Sequence, residues 1–174
     1  SSADQPLAGL LVVAIEQAVA APMCTQRLAD AGARVIKIER TGGETARHYD
    51  RAVHGTSAYF AWLNRGKESA VLDLKNEADL AIVRNMALKA DVLVSNFARG
   101  AVERLGLGYD DLKAENPRLI TVQIAGYGGD TAYAHARAYD ALVQAESGVC
   151  AVTGTADTPV KVGVSRADIA CGMN

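Results

Sequence analysis

One acidic side chain, Asp168, follows a short apolar run at residues 160–164 and opens an expected helix. Ser165 precedes it by three residues, which is the spacing of a capping box with Asp in place of the usual Glu or Gln. A carboxylate delivered in this way could also be a catalytic acid. On the pattern alone, a structural acid that is favoured by the helix dipole is the better interpretation.

Polar side chains also follow the ends of three apolar runs of strand length. Arg40 and Lys75 lie just beyond the second and third runs, and Arg104 lies beyond the fourth, which ends directly in Asn96-Phe97. Open α/β sheets bind ligands at the carboxyl ends of their strands, so these positions are candidate ligand contacts. The alternative is that the cations are solvated surface charges, since most surface cations contribute little.

Strand-length and helical patterns alternate along the chain. The expected strands cover residues 10–15, 34–39, 69–74, 91–96, 119–125 and 160–164. Helical spacing lies between them, at residues 77–90 after the N-cap residue Asn76 and again at 100–105, 109–115 and 139–146. This order predicts an α/β fold: a Rossmann-like, open, mostly parallel sheet with helices on both faces and right-handed crossovers.

The turn after the first expected strand, residues 16–21, contains no glycine. Dinucleotide-binding folds need G-x-G-x-x-G at this turn, so the sequence argues against an NAD or FAD site. The cysteines Cys24, Cys150 and Cys171 have neither CxxC nor zinc-like spacing. We therefore expect reduced thiols in a cytoplasmic protein and no metal site.

The bulk properties exclude other classes of protein. A chain of 174 residues predicts one domain with a substantial core. The net charge of −2 and the lack of a basic stripe argue against a nucleic-acid partner. The apolar runs are too short to cross a bilayer, and the N-terminus has no secretory pattern, so we expect no membrane partner.

A series of short motifs runs from residue 7 to residue 173. They are Leu7-Ala8-Gly9-Leu10, Gln17-Ala18, Ala21-Pro22, Leu28-Ala29-Asp30, Gly32-Ala33, Val35-Ile36-Lys37-Ile38-Glu39, Asn64-Arg65-Gly66-Lys67, Leu72-Asp73-Leu74-Lys75, Asn96-Phe97, Arg104-Leu105-Gly106, Tyr139-Asp140, Gln144-Ala145, Ser147-Gly148, Thr153-Gly154, Pro159, Val162-Gly163, Asp168 and Gly172-Met173. Their order and spacing resemble the class III CoA-transferase family (CaiB/BaiF), which includes formyl-CoA transferase-like members.

This resemblance implies a function. It implies that Asp168 is a nucleophile that forms an aspartyl-CoA intermediate, with Gln17 as a positioning group. The substrates would be acyl-CoA, and hence coenzyme A, and a small carboxylic acid, with dicarboxylates such as succinate, mesaconate or itaconate as the acids that the resemblance favours. The implied contacts to coenzyme A are Ala18, Arg40, Lys75, Asn96, Phe97, Arg104, Arg137 and Tyr139.

The resemblance also implies an architecture. Residues 1–174 would form the N-terminal part of the large CoA-binding domain of a longer polypeptide, without the family's small second domain. The family's dimer consists of two interlocked rings, so a homodimer is expected. Two alternatives stay open: an α-methylacyl-CoA racemase-like enzyme and a non-catalytic CoA-binding fragment. Tyr139 stands where the racemases carry His before the aligned acid, which favours transfer, because an ordinary tyrosine pKa of about 10 suits a neutral-pH base poorly.

Overall fold

The computed structural model describes residues 5–174 and contains one five-stranded, all-parallel sheet. Its strands are β1 (Leu11–Ile15), β2 (Arg34–Glu39), β3 (Lys67–Val71), β4 (Val92–Ser95) and β5 (Ile120–Gln123). They lie in the order β3-β2-β1-β4-β5, so the chain returns to the centre of the sheet between β3 and β4. This arrangement confirms the predicted Rossmann-like fold class.

Helices connect and cover the strands. They are α1 (Ala20–Asp30), α2 (Ala58–Asn64), α3 (Glu77–Lys89), α4 (Ala101–Arg104), α5 (Tyr109–Leu112), α6 (Asp140–Glu146), α7 (Val149–Thr153) and α8 (Arg166–Met173), with a 3₁₀ turn at Thr45–His48. The Asn76 side chain accepts hydrogen bonds from the backbone N–H groups of Ala78 and Asp79, the second and third residues of α3, which confirms the expected N-cap. Within residues 5–174, none of these helices has the length and apolar character needed to cross a bilayer.

Strand β1 shows why both faces of the sheet are covered. Its side chains alternate, so Val13 and Ile15 enter the core that α3 and the 101–112 helices complete. Val12 and Ala14 enter a second core, against Ala21 of α1. The continuous apolar run of β1 is therefore buried on both sides, as is typical of a parallel strand.

The prediction of a strand at residues 160–164 is wrong. This segment is irregular, and the sheet ends at β5. The side chain of Gln144, on α6, takes the place of a neighbouring strand: its oxygen accepts from the Val162 N–H at 3.0 Å, and its nitrogen donates to the Val164 carbonyl at 3.2 Å. The segment has the apolar composition of a strand, but its backbone forms hydrogen bonds with the buried amide side chain of Gln144 and not with a neighbouring strand.

Smaller differences concern the ends of elements. Strand β3 begins and ends earlier than the predicted residues 69–74, and β5 is shorter at both ends than the predicted residues 119–125. Helix α7 has no counterpart among the predicted elements. It is a single short turn of helix after Gly148, which adopts a positive φ of 80° and breaks α7 from α6.

Candidate functional site

A cleft of about 550 Å³ opens at the carboxyl ends of β1 and β4. These two strands are neighbours from which the chain leaves in opposite directions, which is where open α/β sheets bind ligands. Residues after β1 and β4 form one side, and residues 124–127, residues 134–139 and α8 form the other. The cleft brings together six of the predicted site residues: Gln17, Asn96, Phe97, Arg137, Tyr139 and Asp168.

The side chain of Asn96 joins the ends of the two strands. Its oxygen accepts from the Gln17 backbone N–H at 3.0 Å, and its nitrogen donates to the Gln17 carbonyl at 2.7 Å. This reciprocal pair fixes the backbone of Gln17, which lines the cleft, against the end of β4. Asn96, which was predicted as a contact to the ligand, thus also has a structural role.

Ala18 lies behind the cleft and not among its lining residues. Its φ of 63° is in the left-handed region, which costs a residue with a Cβ about 1–2 kcal/mol. The Ala18 N–H donates to the Glu44 carboxylate at 2.6 Å, and this charge-assisted hydrogen bond offsets the cost. The turn after β1 is therefore held in a conformation that alanine rarely adopts.

Asp168 lies in the first turn of α8, but the expected capping box is wrong. Ser165 is the N-cap residue, and its side chain makes no capping hydrogen bond. The carboxylate of Asp140, at the start of α6, caps α8 instead: one oxygen accepts from the Ala167 N–H at 2.8 Å and from the Asp168 N–H at 3.3 Å. The cap comes from a residue 28 positions away, so local spacing could not reveal it.

The position of α8 depends on close contact with α1. A Cβ on Gly172 would lie inside contact distance of the Ala20 carbonyl oxygen and 2.7 Å from the Cβ of Met23. Ile169 packs on the same side, against a buried cluster that contains Met23 and Leu63. Glycine at position 172 therefore allows the helix that carries Asp168 to approach the helix that follows Gln17.

Burial raises the pKa of the Asp168 carboxyl above its ordinary value, and the nearby negative charge of Asp140 raises it further. The burial means that the ionised carboxylate has lost part of its hydration, and the charge of Asp140 repels it. A carboxylate in this state, in a partly enclosed cleft that Gln17 also lines, has the chemistry of a nucleophile toward an activated carbonyl. Perturbed carboxyl groups in clefts are common at functional sites.

Four charged side chains are buried together: Glu16, Lys37, Glu44 and Lys67. We call them the charged cluster. Lys37 forms an ion pair with Glu44 and lies 3.5 Å from Glu16, while Lys67 lies 2.7 Å from Glu16. Desolvation lowers the pKa of Lys67 to about 8, although Glu16 opposes this change. The cluster is balanced in charge, as buried charges must be.

Sequence reasoning missed the charged cluster. One signal was present, because Lys37 interrupts the apolar run of β2, and a cation inside a buried strand requires a partner. Arg99, His135 and Cys171 also line the cleft without having been predicted. The guanidinium of Arg99 lies where a side chain on Gly129 would be, which places it against the backbone of that segment.

The remaining predicted residues lie outside the cleft. Arg40 and Lys75 follow β2 and β3, as expected, and Arg104 ends α4. None of the three lines the cleft, and the Arg40 guanidinium donates to the Gly43 carbonyl at 3.0 Å. Across residues 5–174 there is no group of three or more His, Cys, Asp or Glu side chains that could hold a metal ion.

Comparison with known proteins identifies close relatives. The acetyl-CoA:oxalate CoA-transferase of Acetobacter aceti is 46% identical over 169 residues, which are 96% of this chain and 43% of that protein. The succinate–glutarate CoA-transferase of Agrobacterium fabrum is 40% identical over 177 residues, 97% of this chain and 44% of that protein.

A solved structure agrees with this result. The crystal structure of a CaiB/BaiF family protein from Brucella suis superposes with a TM-score of 0.92 at 38% identity, and the match covers 97% of this chain and 46% of that one. The chain thus spans less than half the length of these relatives. The family model described as CoA-transferase family III matches residues 7–174. The chain therefore belongs to CoA-transferase family III.

Proposed function

We propose that the protein containing this chain transfers coenzyme A from an acyl-CoA to a carboxylic acid, with Asp168 as the covalent nucleophile. The observation that carries this proposal is the desolvated Asp168 carboxylate, which shares a cleft with Gln17 at the carboxyl ends of β1 and β4. Membership of the family and the names of the relatives support the same chemistry.

The proposed reaction passes through a mixed anhydride and an aspartyl-CoA thioester. A carboxylate oxygen of Asp168 attacks the thioester carbonyl, the C–S bond breaks, and a mixed anhydride and the CoA thiolate result. The thiolate attacks the aspartyl carbonyl, which releases the first acid as a carboxylate and leaves an aspartyl-CoA thioester. The incoming carboxylate then attacks the aspartyl-CoA thioester and releases the CoA thiolate, which gives a second mixed anhydride. The thiolate attacks the carbonyl of the incoming acid in this anhydride, which forms the new acyl-CoA and regenerates the Asp168 carboxylate. A weak nucleophile needs fixed geometry and exclusion of water, and the partly enclosed cleft favours both.

Gln17 is proposed to position the reacting carbonyl. Gln17 lines the cleft, and its backbone is held by Asn96 at both the N–H and the C=O. An amide N–H aimed at the oxygen that gains charge would stabilise the tetrahedral intermediates. Such a donor is useful only if it does not reorganise, which is the property that the Asn96 pair provides.

Coenzyme A carries phosphates, an adenine ring and a pantetheine arm with amide groups. Within the cleft, Phe97, Arg137 and Tyr139 offer flat surfaces and Asn96 offers an amide, and we propose that they contact the ligand. Ala18, Arg40, Lys75 and Arg104, outside the cleft, complete the proposed contacts, with the three cations serving the phosphates.

The proposed acids are dicarboxylates. The named relatives act on oxalate, on succinate and glutarate, and, for a Haloarcula hispanica protein that is 38% identical, on mesaconate. Arg99 and His135 add basic groups to the same cleft as Asp168, which suits substrates with a second negative charge.

The contacts of Asp140 weigh against the racemase alternative. A racemase needs a free acid/base pair beside the substrate. Here one Asp140 oxygen caps α8, and the other accepts from the Gln144 side chain at 2.7 Å and lies 3.7 Å from the Lys161 ammonium. The residue before it is Tyr139, 64% exposed, and not histidine. A carboxylate held in this way serves structure better than proton transfer.

The proposal includes a larger assembly. Residues 1–174 are proposed to be the N-terminal part of the large CoA-binding domain, because the relatives have more than twice the matched length. A homodimer, interlocked as the family resemblance implies, is the proposed form of the complete protein.

The test compares Asp168→Asn with Ser165→Ala in the full-length protein. Loss of the nucleophile should lower turnover by at least about a thousandfold with little effect on CoA binding, since the amide is nearly isosteric. Ser165 makes no side-chain cap, so Ser165→Ala should leave turnover within about threefold. Near-normal transfer by Asp168→Asn would overturn the assignment, and CoA binding without turnover by the wild type would select a non-catalytic CoA-binding protein.

A further inference from the structure

Glu44 and Lys37 are buried behind the cleft, and neither takes part in the proposed chemistry. One oxygen of the Glu44 carboxylate accepts from the Ala18 N–H at 2.6 Å. The other oxygen is paired with the Lys37 ammonium. One oxygen of a buried carboxylate therefore accepts a charge-assisted hydrogen bond from the backbone N–H next to Gln17, and this bond stabilises the backbone there.

The group that Glu44 holds is a single peptide unit. The peptide between Gln17 and Ala18 has the Gln17 C=O at one end and the Ala18 N–H at the other. Asn96 donates to that carbonyl at 2.7 Å, and Glu44 accepts from that N–H at 2.6 Å. Because a peptide unit is planar, fixing both of its ends together with the Gln17 N–H determines how the chain leaves β1 and the direction of the Gln17 Cα–Cβ bond.

The conformation needs this support. Ala18 has a φ of 63°, which alanine does not adopt without other interactions to hold it. If the bond to Glu44 were lost, the peptide could turn toward a commoner conformation and carry the Gln17 side chain away from Asp168. Lys37 has a part in this arrangement, because an unpaired carboxylate would not remain buried at this position.

We infer that Glu44 is a positioning residue of the reaction, and that it acts through the Ala18 N–H to aim the Gln17 side chain at the carbonyl attacked by Asp168. This inference rests on the proposed function. Ala18 is only one of the proposed contacts to coenzyme A, so the loss of Glu44 should lower kcat much more than it weakens the affinity for acyl-CoA.

A single substitution would confuse this role with folding, because Glu44→Gln alone leaves two buried lysines, Lys37 and Lys67, to share the one carboxylate of Glu16. Two double variants avoid the problem by removing both charges. Glu44→Gln/Lys37→Met keeps an oxygen that can accept from the Ala18 N–H, whereas Glu44→Met/Lys37→Met does not. Glu16 retains Lys67 at 2.7 Å in both, so the rest of the charged cluster stays balanced.

The experiment measures kcat, KM for acyl-CoA and the thermal midpoint for both double variants of the full-length protein. We expect kcat of the Met/Met variant to be at least tenfold below that of the Gln/Met variant, with KM within threefold and similar thermal midpoints. Equal kcat values in the two variants would overturn the inference while the wild type remained active. A wild type without transferase activity would instead overturn the proposed function.

Discussion

The two sides of the cleft are built in different ways. The turn after β1 is hydrogen-bonded to Glu44 of the charged cluster. Within residues 5–174, no buried side-chain nitrogen or oxygen lacks a hydrogen-bond partner. The opposite side belongs to the C-terminal arm, residues 126–165, which has short helices and exposed apolar side chains such as Val152 (85% exposed) and Val164 (54%). Hydrogen bonds to Asn96 and Glu44 thus fix the backbone around Gln17, whereas Asp168 depends on how α8 is placed against α1 and the C-terminal arm.

Helix α8 is the link between these regions. Gly172 and Ile169 pack it onto α1, and Asp140 of the C-terminal arm caps its first turn. The distance between Gln17 and Asp168 is therefore set by one close helix contact and one cap. Substitutions at these two points should change the geometry of the reaction without touching a reacting group.

The largest effect is expected at Gly172. Gly172→Ala adds a Cβ that collides with the Ala20 carbonyl and Met23, so α8 must move away from α1. A displacement of about 1 Å should lower kcat by about a hundredfold and cost about 1–3 kcal/mol of unfolding free energy. The control is Gly163→Ala, whose Cβ would meet no atom within 4 Å. A Gly172→Ala variant with kcat within twofold of wild type would show that the helix contact does not set the site.

A smaller effect is expected at Asp140, on the other support of α8. Asp140→Ala removes the cap and should cost about 0.5–2 kcal/mol of unfolding free energy and about tenfold in kcat, whereas Asp140→Asn keeps an accepting oxygen and should lose less. The exposed residue Asp157 provides the control, as Asp157→Ala.

The same substitutions have a signature in pH. The negative charge of Asp140 raises the pKa of Asp168, so removing it should lower that pKa. The proposed attack requires an ionised Asp168, and the acid limb of the pH–rate profile should therefore move to lower pH in both Asp140 variants. An acid limb that does not move, or that moves to higher pH, would contradict the electrostatic coupling between the two acids.

The smallest effect on turnover is expected at Glu39, which lies beside the charged cluster. Burial opposes ionisation of Glu39, but hydrogen bonds from Arg47, Ser69 and the Glu44 N–H outweigh it and lower the pKa to about 2. Because the pKa is lower in the folded state, ionised Glu39 stabilises the fold at pH values above its ordinary pKa near 4.5. This contribution is lost as the pH falls toward 2.

Glu39→Gln should therefore be less stable than wild type by about 1–3 kcal/mol at pH 6, and the difference should shrink as the pH falls toward 2. Chemical unfolding at a series of pH values measures it, and turnover at neutral pH should change less than about threefold. A stability difference that stays constant or grows on acidification would contradict the assigned interactions of Glu39.

The two regions also differ in how well the sequence predicts them. The β1-α1-β2 unit follows from its own apolar pattern, because neighbouring segments bury one another and the residues near Pro22 and Gly32 suit the ends of a helix. In the C-terminal arm, residues 160–164 have the composition of a strand, but the buried Gln144 side chain replaces a strand partner. A pattern of apolar residues contains no information about such a distant amide.

The site shows the same limit. The positions of Gln17, Asn96 and Asp168 at one cleft follow from the fold and from the family motifs, since parallel strands end at one edge of the sheet. The cap from Asp140 and the bond from Glu44 to Ala18 connect residues 28 and 26 positions apart, and no local rule predicts them. Sequence reasoning proposed the reacting groups, and the structure adds the groups that hold their backbone and helix in place.

The central claim is that Asp168 becomes covalently attached during transfer, and trapping tests it most directly. The full-length protein is incubated with an acyl-CoA and then treated with hydroxylamine or borohydride, and its peptides are analysed by mass spectrometry. The account predicts modification of the peptide that contains Asp168, and no modification in Asp168→Asn. Labelling at Cys171, which lines the same cleft, or at Cys150 instead of Asp168 would contradict it.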